Sequence, residues 1–235
     1  MKKYFPYIIL SLALVLSVTF NVFLVVRNNN NVELSFDNFV QSIVELKAMT
    51  EDVGESFGTA EFINSNGNLL TNAHVITYKK LGAYYTFDNV YIRFSFENDY
   101  REVSIIKYDT NKDIAILKLN DTNCNFKPIS IGDSSKLKFN ESVYAIGNLN
   151  NLGLSITKGT ISNPSINVSF ENVSRNVIQC DLTIADGNSG GSLLDKDGRL
   201  VGITTFRLKD NKGSVIYGIA YCIPINTVLE YMQDV

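Results

Sequence analysis

An all-β fold, sandwich or barrel, is predicted by three observations. From Phe57 onward the chain breaks into short runs of β-formers divided by Gly, Asn and Asp, such as TAEFI, VYIRFSF, VSIIKY, IAILKL, SVYAIG, NVIQCDL and LVGITTF. No periodic repeat, Pro-rich tract or heptad pattern competes with that reading. A length of 235 residues suits one large all-β domain or two small ones.

Along the chain, Lys2 and Lys3 precede an apolar run from about Tyr7 to Val26. About 20 apolar residues in a helix span a ~30 Å hydrocarbon core. The run lacks a good small-residue cleavage site, so an uncleaved signal anchor is expected over residues 1–27, with the two lysines cytoplasmic. Everything after Arg27 is then extracytoplasmic, at the cell membrane. Residues 28–41 begin with NNNN, a polar spacer. The stretch Phe36 to Met49 reads as a short helix running into a strand, with Ile43, Val44 and Leu46 packed. FINSNGNLLT reads as a hairpin in which Asn66-Gly67 supplies the positive φ angles of a tight turn. Residues 121–140 look like a crossover between two halves, and INTVLEYMQDV like a short amphipathic helix over about 225–235. No residues follow that helix, so no appended peptide-binding domain is expected.

Composition narrows the function. A net charge of −3 gives no nucleic-acid footprint. The three cysteines, Cys124, Cys180 and Cys222, have no metal-ligand spacing. They read as free, mostly buried thiols, or as one disulfide and one free thiol. No metal or cofactor is expected.

Three stretches carry chemistry. LLTNAHVI holds His74, the chain's single histidine. A lone histidine is more often structural than catalytic. KDIAILKL opens with Asp113 at the mouth of an alternating apolar strand, where a carboxylate can be buried against an imidazole. ADGNSGGSLLD sets Ser189 among Gly187, Gly190 and Gly191. A turn rich in Gly can aim backbone N–H groups at a point where negative charge develops. A serine there would sit beside its own oxyanion hole, a site for the developing oxygen anion.

Taken together in the order His, Asp, Ser, these motifs resemble those of HtrA/DegP-type trypsin-like serine proteases, on the chymotrypsin fold. YAIGNLNNLGLSITKGTIS, LVGITTF and YGIAYCIP support the resemblance, which runs from about Ser42 to Pro224. It implies two six-stranded antiparallel β-barrels, barrel 1 at about 42–125 and barrel 2 at about 135–224, within a protease domain over 42–235. It implies that His74 is the general base, Asp113 its orienting partner and Ser189 the nucleophile. Gly187, Asn188 and Ser189 would form the oxyanion hole. The primary specificity pocket would have its floor near Thr183 and its walls at Thr205, Phe206, Arg207, Ile219, Ala220 and Tyr221. A neutral floor implies small or medium apolar side chains. Asn188 is uncharged, so activation by a newly cut N-terminus is not expected; ordering of the loops Asn148 to Gly153 and Ala83 to Asn89 would take its place. Expected partners are protein or peptide substrates, the membrane through the N-terminal helix, and further copies in a trimer to which Phe36 and Phe39 could contribute.

The sequence departs from the family pattern at Ser192, which replaces the usual Pro after S-G-G, at Ala185-Asp186, which replaces Asn-Pro, and at Glu61, where a small residue is common. Asp186 is expected to face solvent. The rival reading is a catalytically silent binding or chaperone-like module on the same fold.

Overall fold

The computed structural model describes residues 14–22, 34–121, 123–170, 173–209 and 215–233. Residues 14–22 form a helix, α1, in a unit of their own, Met1–Leu34. The predicted membrane span over Tyr7 to Val26 lies largely outside the described residues. Among the described residues, no helix is long and apolar enough to cross a membrane.

The second unit, Ser35–Val235, holds two closed barrels. The first is built from β1 (Ile43–Thr50), β2 (Gly54–Phe62), β3 (Asn68–Thr71), β6 (Asn89–Arg93), β7 (Arg101–Asp109) and β8 (Ile114–Leu119). Its strand order is β1-β2-β3-β8-β7-β6, closed by antiparallel pairing of β1 with β6. NVYIR shows the expected alternation: Val90 and Ile92 point inward, their neighbours less so. The core is aromatic at its centre. Phe62 stacks on Phe94 at 5.8 Å and on Phe126 at 4.3 Å between ring centroids. Each buried ring of this size contributes roughly 1.5–3 kcal/mol.

A short helix, α2 (Ala73–Ile76), leaves β3 and leads into the hairpin β4 (Thr77–Lys80) and β5 (Ala83–Thr86). The turn between β2 and β3 is wider than the tight Asn-Gly turn predicted. Only Gly67 has positive φ there, and the Asn64 carboxamide oxygen accepts from the N–H groups of both Asn66 and Asn68. The Asn64 side chain thus supplies the turn-closing acceptor that a two-residue loop would take from its own backbone.

The second barrel is built from β9 (Ser142–Asn148), β10 (Leu154–Phe170), β11 (Val173–Cys180), β12 (Ser192–Leu194), β13 (Leu200–Lys209) and β14 (Val215–Pro224). Its order is β10-β11-β14-β13-β12-β9, closed by β9 with β10. The core is aliphatic, around Val143, Ile161, Ile178, Leu182, Leu193 and Val201, with Cys180 and Cys222 buried among them. All three cysteines are free thiols, Cys124 being half-buried. The segment between the barrels hydrogen-bonds to each in turn: Ile129 N–H donates to Phe62 O, and Gly132 N–H to Leu200 O. The helix α3 (Ile225–Tyr231) closes the chain, burying Ile225 and Val228. Ile43, Val44 and Leu46 are buried as expected, and Phe39 packs into its own unit at 6% exposure.

Candidate active site

His74 sits in α2, whose single turn begins after Asn72 in extended backbone. Ala73, Val75 and Ile76 are buried, which turns the His74 side chain outward at 46% exposure. Asp113 lies at the start of β8 with φ +60, a left-handed conformation that Asp tolerates better than most residues. Its side chain is 6% exposed. One carboxylate oxygen accepts from the His74 backbone N–H at 3.0 Å, and the two lie 2.9 and 3.0 Å from His74 Nδ1. Facing a carboxylate, Nδ1 carries the hydrogen and Nε2 is left as a base. Thr205 Oγ1 donates to the second oxygen at 2.5 Å. Burial pushes the Asp113 carboxyl up, but the charge and hydrogen bonds of His74, with the Thr205 hydroxyl, hold it below the ordinary value.

Ser189 is brought to this pair from barrel 2. Its Oγ donates to Thr205 O at 3.4 Å, so one residue touches both the serine and the aspartate. Thr205 can do this because β13 bulges there: Thr204 opposes Cys222 and Phe206 opposes Tyr221, leaving Thr205 without an opposite. Asn72, fully buried, is the second link. Its amide donates to Asp113 O at 2.9 Å while its oxygen accepts from Gly190 N–H at 2.7 Å. Thr59 is the third: its N–H donates to Ser189 O, and its hydroxyl donates to Gly187 O and accepts from Asn148 N–H, each at 2.9 Å. Sequence reasoning assigned no role to Asn72 or Thr59. Their neighbours in LLTNAHVI and FGTAEFI are the only local signal.

The loop before Ser189 is fixed by glycine. Gly187 has φ +89, and a Cβ on it would lie 2.0 Å from Asn148 O; Gly190 has φ +76, with a Cβ 2.2 Å from Thr71 Oγ1. Among the described residues, the Gly187 and Ser189 N–H groups have no backbone acceptor, whereas Asn188 N–H donates to Ala185 O at 3.1 Å. Two N–H groups of the loop are therefore left without a backbone acceptor among the described residues, while that of Asn188 is spent in the turn. Its side chain is buried beside Gly147, with Oδ1 unpartnered among the described residues. Asp186 is exposed, and its carbonyl accepts from Asn150 N–H at 2.7 Å. Asn150 and Asn151, in the loop expected to order, both have positive φ. In the other loop expected to order, Ala83–Thr86 is strand.

The expected specificity pocket is divided. Thr183 and Ile219 line a pocket of about 20 Å³ with Leu182, Ile184, Ile216, Tyr217 and Gly218. That is room for about one water. Ala220 instead faces the barrel interior at 0% exposure, whereas Tyr221, buried on the opposite face of β14, packs its ring on Phe206 at 5.0 Å between centroids. Thr205 and Phe206 line a separate cavity of about 320 Å³ beside His74. Arg207 lies on β13 opposite Ala220, and its side chain falls outside the described residues.

Two of the sequence departures meet in space. Glu61 on β2 is fully buried, and its carboxyl oxygens and the Ser192 hydroxyl have no close hydrogen-bond partner among the described residues. Burial pushes the Glu61 carboxyl well above the usual range, and the neighbouring Ser192 hydroxyl offsets only part of that.

Residues 58–203 match the family described as Trypsin-like peptidase domain. The chain is 33% identical over 179 residues to a probable periplasmic serine endoprotease DegP-like of Bartonella henselae, covering 76% of this chain and 33% of that protein. It is 37% identical over 185 residues to the periplasmic pH-dependent serine endoprotease DegQ of Escherichia coli, covering 77% and 37%. The solved structure of the HtrA-type protease AlgW with tripeptide superposes with a TM-score of 0.71 at 30% identity, covering 85% of this chain and 63% of that one. The chain thus spans about a third of the length of these two curated relatives.

Proposed function

The chain belongs to the trypsin-like peptidase domain family, HtrA type, and from that premise we propose that it is a serine endopeptidase acting on exported or misfolded proteins outside the cytoplasmic membrane. The observation that carries this reading is the carboxylate of Asp113 on His74 Nδ1 at 2.9 Å, tied through Thr205 to Ser189.

In the proposed reaction Ser189 Oγ attacks the scissile carbonyl and its proton passes to His74 Nε2. Asp113 keeps the imidazole in the required tautomer and stabilises the imidazolium without taking its proton. The Gly187 and Ser189 N–H groups receive the oxyanion; one such donor is worth roughly 2.7–4 kcal/mol in the transition state. The imidazolium then gives its proton to the leaving amine, and an acyl-enzyme remains. Water, deprotonated by His74, hydrolyses it. Relatives named periplasmic support an extracytoplasmic site of action. The apolar run from Tyr7 to Val26 behind Lys2 and Lys3 supports a membrane anchor, which alkaline carbonate extraction of membranes tests.

A fluorophosphonate probe tests the activity. Labelling of the folded protein that vanishes in Ser189→Ala is the expected outcome. The absence of labelling would favour the silent binding module, a reading to which the single-water pocket at Thr183 lends some weight.

A further inference from the structure

The 320 Å³ cavity beside His74 differs in character from the small pocket at Thr183. Tyr84 and Phe206 give it apolar walls, and two cations, Lys79 and Arg175, line it as well. Its one acidic lining residue, Asp113, has both oxygens engaged by His74 and Thr205. With His74 neutral, two cations stand against that one carboxylate, so the lining keeps a net positive charge.

Arg175 is held in place without being neutralised. It reaches from β11 of barrel 2 to barrel 1, where its Nε donates to Asn111 O at 2.6 Å and its Nη2 to Thr110 O at 3.0 Å. Carbonyl oxygens fix the plane of the guanidinium but carry no charge. Among the described residues no carboxylate lies within ion-pair distance of it. A guanidinium has five N–H donors, so donors remain for an incoming carboxylate, in a fork that such a group matches. Lys79, on β4, is exposed, with its ammonium 5.2 Å from the Tyr84 ring centre. That contact keeps the charge at the cavity mouth without removing it.

An extended peptide added along β13 presents alternate side chains to opposite faces. If the residue before the cleaved bond, P1, enters the Thr183 pocket, then P2 and P4 share the face toward the larger cavity. Resting on the endopeptidase reading above, we propose that this cavity, through Arg175 and Lys79, selects substrates with an acidic side chain at P2 or P4.

The test uses the full chain and matched fluorogenic peptides with a small apolar P1 and Glu, Gln or Lys at P2, then at P4. Glu is expected to exceed Gln in kcat/KM by on the order of 10-fold at one of these positions, as suits a hydrogen bond between charged groups. That ratio is expected to shrink as salt is raised, because the cavity is open to solvent. Arg175→Ala is expected to bring the ratio toward 1. Lys79→Glu, which leaves the barrel junction untouched, is expected to lower it and raise the rank of Lys. Equal rates for Glu and Gln in unlabelled wild-type enzyme, from a preparation of which a separate sample takes the fluorophosphonate label, would overturn this inference alone. So would an Arg175→Ala loss shared equally by all peptides with the ratio unmoved in Lys79→Glu, since that marks Arg175 as a structural tie. Wild-type protein that neither labels nor cleaves any peptide would overturn the endopeptidase reading itself.

Discussion

Barrel 1 pairs its strands with one register shift, between Ile105 and Lys107 of β7, whereas barrel 2 shifts register in β10–β11, β12–β13 and β13–β14. The cores differ in the same sense: stacked phenylalanines fill the first and branched aliphatics the second. The contributions to the site follow. Barrel 1 offers side chains, His74 and Asp113, at the ends of regular elements. Barrel 2 offers the hydroxyls of Ser189 and Thr205 and, unlike barrel 1, backbone as well: the N–H groups of Gly187 and Ser189 and the carbonyl of Thr205, all displaced from the ladder. A regular strand commits its N–H and C=O groups to its neighbours, so a site that needs bare backbone has to be built where the ladder is broken.

The sharpest way to break this comparison is to alter backbone without touching a reacting side chain. Gly187→Ala puts a Cβ 2.0 Å from Asn148 O at φ +89. We expect kcat to fall by on the order of 10²–10³, the scale of one lost oxyanion donor, and the unfolding midpoint to fall as well, because the loop has to shift to admit the Cβ. A fall no larger than that of an exposed-surface control would mean that these N–H groups are not the oxyanion donors. Next in size is Asn72→Ala, which removes one of the ties between the barrels. With Asp113 O left unpaired, denaturant unfolding is expected to show a loss of about 2 kcal/mol. Fluorophosphonate labelling is expected to slow in parallel. An unchanged midpoint would show that the two halves register without it.

The smallest effect distinguishes Glu61 from Asp113, two of the buried carboxyls of barrel 1, whose shifts are opposed. The Glu61 carboxyl is raised from its ordinary value of 4.5 in the folded state, so the unfolded chain loses its proton first as pH rises. Its contribution is fully favourable below about pH 4.5 and is lost as pH rises toward the folded value. The Asp113 carboxyl is lowered, so its contribution is present above its ordinary value of 3.8 and is lost as pH falls through the folded one. Glu61→Leu is expected to add about 1 kcal/mol at pH 8 and nothing at pH 4. Thermal unfolding at the two pH values measures it, and a loss at both would mean that the carboxyl contributes to packing more than it costs in burial.

The sequence made the site's side chains legible and left its ties obscure. His74, Asp113 and Ser189 each stand in a local motif, and the glycines around Ser189 mark a backbone that must turn sharply. Asn72 and Thr59 escaped notice because their partners are 41 to 128 residues away, at Asp113, Gly190, Asn148 and Gly187. No nearby residue records such a contact. Ala220 was expected in a pocket wall but faces the core, between Ile219 and Tyr221 on the other face. In a strand, one residue of offset reverses the face, and the irregular β13–β14 pairing hides that offset from the sequence. Strands such as NVYIR were readable because alternation and burial coincide there.

The left-handed backbone at Asp113 limits what can replace that residue. Most L side chains would strain the start of β8, whereas Asn shares Asp's tolerance of positive φ and its shape. An Asn there exchanges a charged acceptor for an amide and spares the loop a conformational penalty. On the proposed function, Asp113→Asn is therefore the substitution expected to give a folded but chemically idle form.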